Sequence, residues 1–547
     1  MQTSLLCVVV AVVIAMMAVS PPLVAGAEKR MVCYYGAWAV YRPGRGKFVV
    51  EDINPNLCTH LVYGFAKLEE NEIRSYDPWE DLKDNWGKGG YLRATGLKQR
   101  NSKLKVLIAI GGWNEGSPKY SDMASSSSTR KTFINSVIPF LKKYDFDGLD
   151  LDWEYPTTRG GKPEDKENFA TLVTELRQAL GSRYLLTAAV SPNIETVADA
   201  YDVPVLARDL DFVSVMCYDY HGAWEGHPYT GHNTPLYRGP ADEKYIPHFN
   251  VNDTLTYWLE EGLPKEKINM GMALYGRGFT LDDPTLRGLY APAKEGLKMG
   301  PYTRQDGTWG YNEICEVFKS EGSDWRIVID PYIQAPYAYK ENMWVGYDDM
   351  ESLYVKAKFA RNLGLGGAMV WSIETDDFRG FCHNQKYPLI NTIVKTMAGG
   401  GKPSLPERPQ IVAGDDNTGG SDIFTTTEPD DYFDPTTTRL PPKRTRPPRR
   451  TTTLSPDEEE IIDAEDEPTT TRRPPPRGRV PHEKPPPPQF PTKKTTSSTS
   501  TSPPPPFARH DPVLPSEPPP RPPSNPITAN APGTTPSNRT DLTARPS

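Results

Sequence analysis

Apolar positions along the first 398 residues come in short runs separated by polar, periodic stretches. The runs are Met31 to Tyr35, His60 to Phe65, Lys105 to Ile110, Gly148 to Glu154, Leu185 to Val190, Phe212 to Tyr218, Ile268 to Leu274 and Gly367 to Ser372. Each has the length of a buried strand and is too short for a core helix. Between several of them the apolar spacing changes to the helical period, as in Thr132 to Tyr144 and Lys166 to Leu180. Eight strands alternating with helices predict an α/β fold, a closed (β/α)8 TIM barrel. The gap between the seventh and eighth runs, about Thr280 to Glu341, leaves room for a small α+β insertion. In such a barrel chemistry belongs at the carboxyl ends of the strands, and Glu154, Tyr218, Asp219 and Trp371 all fall at the ends of their runs.

The fourth run changes the picture from fold to site. Asp147-Gly148-Leu149-Asp150-Leu151-Asp152-Trp153-Glu154 places carboxylates at alternate positions. On a strand Asp150, Asp152 and Glu154 share one face, and Leu149, Leu151 and Trp153 share the other. Like charges that close cannot all ionise freely, so at least one pKa must rise. A solvated edge strand with acidic decoration is the competing reading; the apolar opposite face and the flanking Gly148 and Pro156 argue against it.

Composition then bounds compartment and partners. Residues 1–27, with an apolar run from Leu5 to Val19 and small residues at Ala25-Gly26-Ala27, read as a secretory signal. No later stretch has the apolar length of a membrane span. The formal net charge of -8 argues against nucleic acid as a partner. Beyond Cys7 the cysteines are Cys33, Cys58, Cys217, Cys315 and Cys382, an odd number for an oxidising compartment. Cys217 is the expected free thiol, a small buried hydrophobe facing away from Met216 and Tyr218. The histidines form no metal-ligand spacing, and His221 reads as structural, so neither metal nor cofactor is expected.

Near Ala398 to Gly401 the composition shifts to Pro, Thr, Ser and blocks of charge. Residues 399–547 are expected to be a disordered linker or stalk, since they carry too little apolar surface to offset ordering entropy. Runs such as Thr451 to Thr453 and Thr469 to Thr471 beside Pro clusters suit O-glycan acceptors or an unmodified linker equally well. Asn252-Asp253-Thr254 in the folded part and Asn538-Arg539-Thr540 in the tail are N-glycosylation sequons.

The acidic octapeptide, together with Lys105 to Trp113 (KVLIAIGGW), Met216-Cys217-Tyr218-Asp219, Gly271 to Phe279 (GMALYGRGF) and Gly366 to Ser372 (GGAMVWS), resembles glycoside hydrolase family 18, and within it the secreted chitinases of arthropod type. The resemblance spans residues 30–398; Ala109 departs from it, since many relatives carry Ser there. It implies an endo-acting, retaining, substrate-assisted chitinase on a catalytic domain of residues 28–398. Glu154 would be the general acid, Asp152 would share a proton between Asp150 and Glu154, and Tyr218 would hold the substrate's acetamido group. Trp371 would floor the reacting sugar, with Tyr34, Trp38, Trp113, Met216, Asp219, Trp224, Tyr275, Arg277 and Met369 binding substrate around it. The resemblance also implies disulfides Cys33–Cys58 and Cys315–Cys382, a pairing the spacing alone leaves open. The implied partners are chitin or chitooligosaccharides, and a secreted monomer without a chitin-binding module is expected. The alternative is a chitin-binding lectin or matrix protein of the same fold that has lost catalysis; such relatives typically replace the acidic Glu, which is Glu154 here.

Overall fold

The computed structural model describes residues 29–402 except 225–226, 243–247 and 323. The expected signal segment, the tail with its Thr-rich runs and the sequon at Asn538 lie outside the described residues.

Eight parallel strands close on themselves. They are β1 (Arg30–Gly36), β2 (His60–Glu69), β3 (Lys105–Gly111), β4 (Gly148–Asp152), β5 (Leu185–Val190), β6 (Phe212–Val215), β7 (Ile268–Ala273) and β8 (Gly367–Trp371). Each pairs with the next, and β8 returns to β1, through Arg30 opposite Gly367 and Cys33 opposite Val370. The barrel thereby leaves no open edge among its eight strands.

Side-chain alternation divides the apolar residues into two layers. Val32, Tyr34, Val62, Leu107, Ala109, Ala189, Met216, Tyr218 and Met369 fill the barrel interior. Cys33, Leu61, Ile108, Leu149, Leu151 and Val370 point outward into the shell beneath the helices. Among those helices, Ser127–Tyr144 buries Phe133, Val137, Phe140, Leu141 and Tyr144, a stripe at helical spacing. It begins five residues before the predicted Thr132, because Ser126 caps it through an acceptor bond from the Thr129 N–H and the polar first turn carries no apolar signal. The helix Asp165–Leu180 ends at Gly181, whose φ of 56° suits glycine.

Most boundaries shift by a residue or two and the second strand runs on to Glu69 rather than ending at Phe65, but three differences bear on the candidate site. The fourth strand ends at Asp152, two residues before Glu154, where the Gly112 N–H donates to the Asp152 carbonyl at 2.7 Å. The sixth ends at Val215 rather than Tyr218, because Cys217 N–H to Val215 O (2.8 Å) and Tyr218 N–H to Met216 O (2.7 Å) form successive tight turns that lift the chain off the ladder. The insertion between β7 and β8 is wider than Thr280 to Glu341. Its antiparallel sheet begins with Tyr275–Thr280 and includes Met343–Gly346, so the turn after Leu274 already belongs to it. The sheet also holds Arg326–Asp330 and Ala335–Lys340, and the helix Tyr311–Glu321 lies within the insertion.

Cys33 is bonded to Cys58 and Cys315 to Cys382, while Cys217 is free and buried in the outer layer. The second disulfide ties the insertion's helix to the segment after β8. No helix among the described residues is long and apolar enough to cross a membrane.

Candidate active site

The acidic face of β4 opens into the barrel. Asp150 and Asp152 are fully buried, Glu154 is half-buried at the carboxyl end, and Leu149, Leu151 and Trp153 pack in the outer shell. The three carboxyls differ in how they are held. Asp150 accepts a 2.6 Å hydrogen bond from the Tyr34 hydroxyl of β1 and a second from the Thr187 hydroxyl of β5. Burial pushes its pKa up to about 6 against the pull of those two donors. Ala109 lies opposite Asp150 in the β3–β4 register and contributes only a methyl group to the interior.

Asp152 is held by less. Its Oδ1 is buried without a hydrogen-bond partner, and burial, followed by the charges of Glu154 and Asp150, raises its pKa well above the carboxylate range. Glu154 is raised to about 7, first by burial and then by Asp219, while Arg159, Tyr155 and the Trp113 backbone N–H pull it down. The column therefore retains a proton near neutral pH.

Around the carboxylates the predicted polar residues converge. Tyr218 is buried, and its hydroxyl has only a 3.7 Å contact with Met369 Sδ, a weak acceptor. Asp219 stands at a φ of 59°, fixed by its own N–H donating to Asn233 Oδ1 at 2.9 Å. Its carboxylate accepts from the Tyr275 hydroxyl at 2.6 Å and from Arg277 Nε at 2.7 Å. Both donors come from the first strand of the insertion, so the lobe contributes to the site wall. Met216 and Met369 pack inside the barrel beside Tyr218.

Aromatic rings line the mouth. Trp371, at the end of β8, lies 5.6 Å from the Tyr34 ring, 6.1 Å from Trp38 and 5.9 Å from Phe65. Trp38, Trp113 and Trp224 keep 43%, 58% and 39% of their surface exposed, enough to offer a flat apolar face to solvent. Arg277 sits 5.3 Å over the Trp224 ring and Arg159 3.5 Å over that of Trp113.

Over residues 30–376 the sequence matches the family described as glycosyl hydrolases family 18. The chain belongs to that family. Among its family 18 relatives are "Probable chitinase 2" of Drosophila melanogaster, 43% identical over 411 residues that span 70% of this chain and 83% of that protein. "Endochitinase" of Manduca sexta is 41% identical over 396 residues, 70% of each chain. A crystal structure of Ostrinia furnacalis Group IV chitinase in complex with allosamidin is 44% identical, with a TM-score of 0.66 over 68% of this chain and 99% of that one.

Several residues around the candidate site carry no signal in the sequence reading. Thr187 looks like an ordinary strand residue, yet it braces Asp150. Phe65 joins the aromatic mouth from β2, stacked on Trp38. Tyr41 stacks on Trp79 at 6.1 Å, both half exposed, on the same 3-10 turn Ala37–Tyr41 that carries Trp38. Fully buried Glu374 accepts from the Ser372 hydroxyl at 2.6 Å and the Gly36 N–H at 3.2 Å, and pairs with Arg42 at 3.7 Å. Only the aromatic spacing after Trp38 could have pointed to one of these.

The predicted structural residues also have definite places. His221 contacts the Phe249 and Tyr290 rings, and burial lowers its pKa to about 3, keeping the imidazole neutral. Cys315, Asp377 and Cys382 lie together, but the sulfurs form the disulfide and Asp377 accepts from the Phe381 and Cys382 N–H groups at 2.8 Å. Asn252 is half-buried in the first turn of the helix Val251–Glu260, its Nδ2 3.3 Å from Asp253 Oδ1.

Proposed function

We propose that the protein is a secreted endo-chitinase that hydrolyses β-1,4 linkages between N-acetylglucosamine units by a retaining, substrate-assisted route. The observation that carries this reading is the graded carboxyl column: Asp150 pinned, Asp152 with a free oxygen, and Glu154 at the mouth, where burial raises its pKa to about 7. Glu154 donates its proton to the glycosidic oxygen as the bond to the leaving sugar breaks. The carbonyl oxygen of the reacting sugar's own acetamido group attacks the anomeric carbon, taking the nucleophile's place. Asp152 turns from Asp150 toward the acetamido N–H and stabilises the resulting oxazolinium cation. Tyr218, whose hydroxyl is committed only to a sulfur, donates to the acetamido oxygen. Water activated by the ionised Glu154 then opens the ring with net retention.

Trp371 supports the distorted sugar, and Trp38, Trp113 and Trp224 hold its neighbours, with Asp219, Tyr275 and Arg277 on the polar edge. The need for an acetamido group makes cellulose unreactive. A monomer acting outside the cell completes the reading; recovery from culture medium and light scattering check these two points.

Chitin hexamer is the decisive substrate. Wild type is expected to release short oligomers that are initially β-anomers, and Glu154→Gln to bind without cutting. Binding without cleavage by both proteins would instead establish a lectin.

A further inference from the structure

Arg159 is an exposed residue with more attachments than an exposed residue needs. Its Nη1 donates to two backbone carbonyls, those of Trp113 at 2.8 Å and Glu154 at 3.0 Å. Its guanidinium carbon lies 3.5 Å from the centre of the Trp113 ring. The backbone is bent to aim it. Thr157 and Arg159 have φ values of 69° and 51°, a region that non-glycine residues hold only where the surroundings impose it.

The surroundings do impose it. Buried Asp165 accepts from the Ser121 hydroxyl at 2.7 Å, the Lys162 N–H at 2.7 Å and the Thr157 N–H at 3.4 Å. The loop closes on itself through Thr158 N–H to Tyr155 O at 3.2 Å and Gly161 N–H to Thr158 O at 2.9 Å. A Cβ at Gly161 would lie 2.7 Å from Asp165 Oδ2, so glycine is required for that approach. Ser117 links this loop to the shell, donating to the Tyr155 carbonyl at 2.9 Å and accepting from Trp153 Nε1 at 3.0 Å.

We propose that Arg159 is a positioning residue that clamps the Trp113 sugar platform, which follows β3, to the backbone of Glu154, which follows β4. This rests on the reading of Glu154 as the acid. The clamp fixes the spacing between a bound sugar face and the proton donor, leaving the uncovered side of the indole for a pyranose. It has an electrostatic side as well. The groups acting on Glu154 are Asp152 from β4, Tyr155 beside it, Tyr218 and Asp219 after β6, Tyr201 from the segment before β6, and Arg159. Arg159 is the cation among them, and Arg277 is engaged by Asp219. Without Arg159 the protonated acid would persist to higher pH.

The test is the pH dependence of kcat and KM on chitin hexamer for wild type, Arg159→Ala and Arg159→Lys, with the fold checked by circular dichroism. Arg159→Ala should lose about tenfold in kcat/KM and move the basic limb upward by about half a unit. Arg159→Lys keeps the charge but not the reach of Nη1 or the planar stack on the indole, so its limb should stay in place while kcat/KM falls several-fold. If Arg159→Ala does not fold, the Lys variant alone decides, and full activity in it overturns the clamp. A folded Ala variant with wild-type kcat/KM and an unmoved limb also overturns it, while an active wild type leaves the reading of Glu154 standing. Wild type as inert as Glu154→Gln would instead sink that reading.

Discussion

At the scale of single residues, the proposed division of labour among three carboxyls depends on what holds each one. The Tyr34 hydroxyl is a donor that can be removed with little loss of volume. Tyr34→Phe leaves Asp150 Oδ2 without its 2.6 Å partner in the barrel interior, at a cost of about 1–3 kcal/mol. Asp150 then competes more strongly for the proton that Asp152 must carry, and kcat should fall about tenfold. The pH dependence has a definite sign. Asp150 is raised to about 6 in the folded state, above the ordinary aspartate value of about 3.9, so its contribution to stability is complete below about pH 4 and is lost as pH rises through about 6. Tyr34 opposes that rise, and its loss should therefore destabilise the protein more at pH 7.5 than at pH 4.5. Melting curves at the two pH values, with kcat alongside, check this; equal losses at both would mean that Asp150 keeps one protonation state between pH 4.5 and 7.5. The alternating acids of β4 were legible in the sequence because strand geometry alone puts them on one face. Thr187 was not, because the contact that matters crosses from β4 to β5 and leaves no periodicity in either.

At the scale of elements, the barrel was legible because each strand is a short apolar run between turn residues, and all eight runs became strands in parallel register. The ends of β4 and β6 were not, since the apolar pattern continues through Trp153 and Tyr218 while the ladder stops. The residues beyond those ends are the ones that turn into the cleft, so these two misread boundaries lie at the candidate site itself. A similar join operates between β1 and β8. Gly36 and Glu374 are 338 residues apart, and no local pattern relates them, yet the carboxylate of Glu374 holds the segment carrying Trp38 to the turn after Trp371. Burial raises its pKa and Arg42 opposes that rise. Glu374→Ala leaves the Gly36 N–H without its acceptor and the largely buried Arg42 with only the Glu374 backbone carbonyl at 3.4 Å, and should cost about 3 kcal/mol. Glu374→Gln keeps an acceptor in place and should cost about 1 kcal/mol. KM for long oligosaccharides should rise in the Ala variant as the Trp38–Trp371 spacing loosens. Chemical denaturation and KM for chitin hexamer measured together would show it, and an Ala variant as stable as the Gln variant would remove the bridging role.

At the scale of the whole described molecule, two covalent ties hold different junctions. Cys33–Cys58 closes a sequence separation of 25 between β1 and the start of β2, and Cys315–Cys382 one of 67 between the insertion and the segment after β8. On the loop-entropy account these are worth about 3.5 and about 4.4 kcal/mol. The longer loop should not deliver its full value, because the same junction is held without it. The Tyr311 hydroxyl meets His383 Nε2 at 2.8 Å with the rings stacked, and Lys319 donates to the Phe381 carbonyl at 2.6 Å. The paired Cys→Ser variants are therefore expected to lose similar stability, about 3 kcal/mol each. Their effects on binding should differ. Tyr275 and Arg277 enter the site from the insertion's first strand, so loosening that lobe at Cys315–Cys382 should raise KM for chitin hexamer, whereas opening Cys33–Cys58 in the outer layer should leave it near wild type. Equal KM values in the two variants would mean that the insertion is held to the barrel by its other contacts, among them Arg277 to Asp219 at 2.7 Å and His232 Nε2 to the Pro336 carbonyl at 3.1 Å.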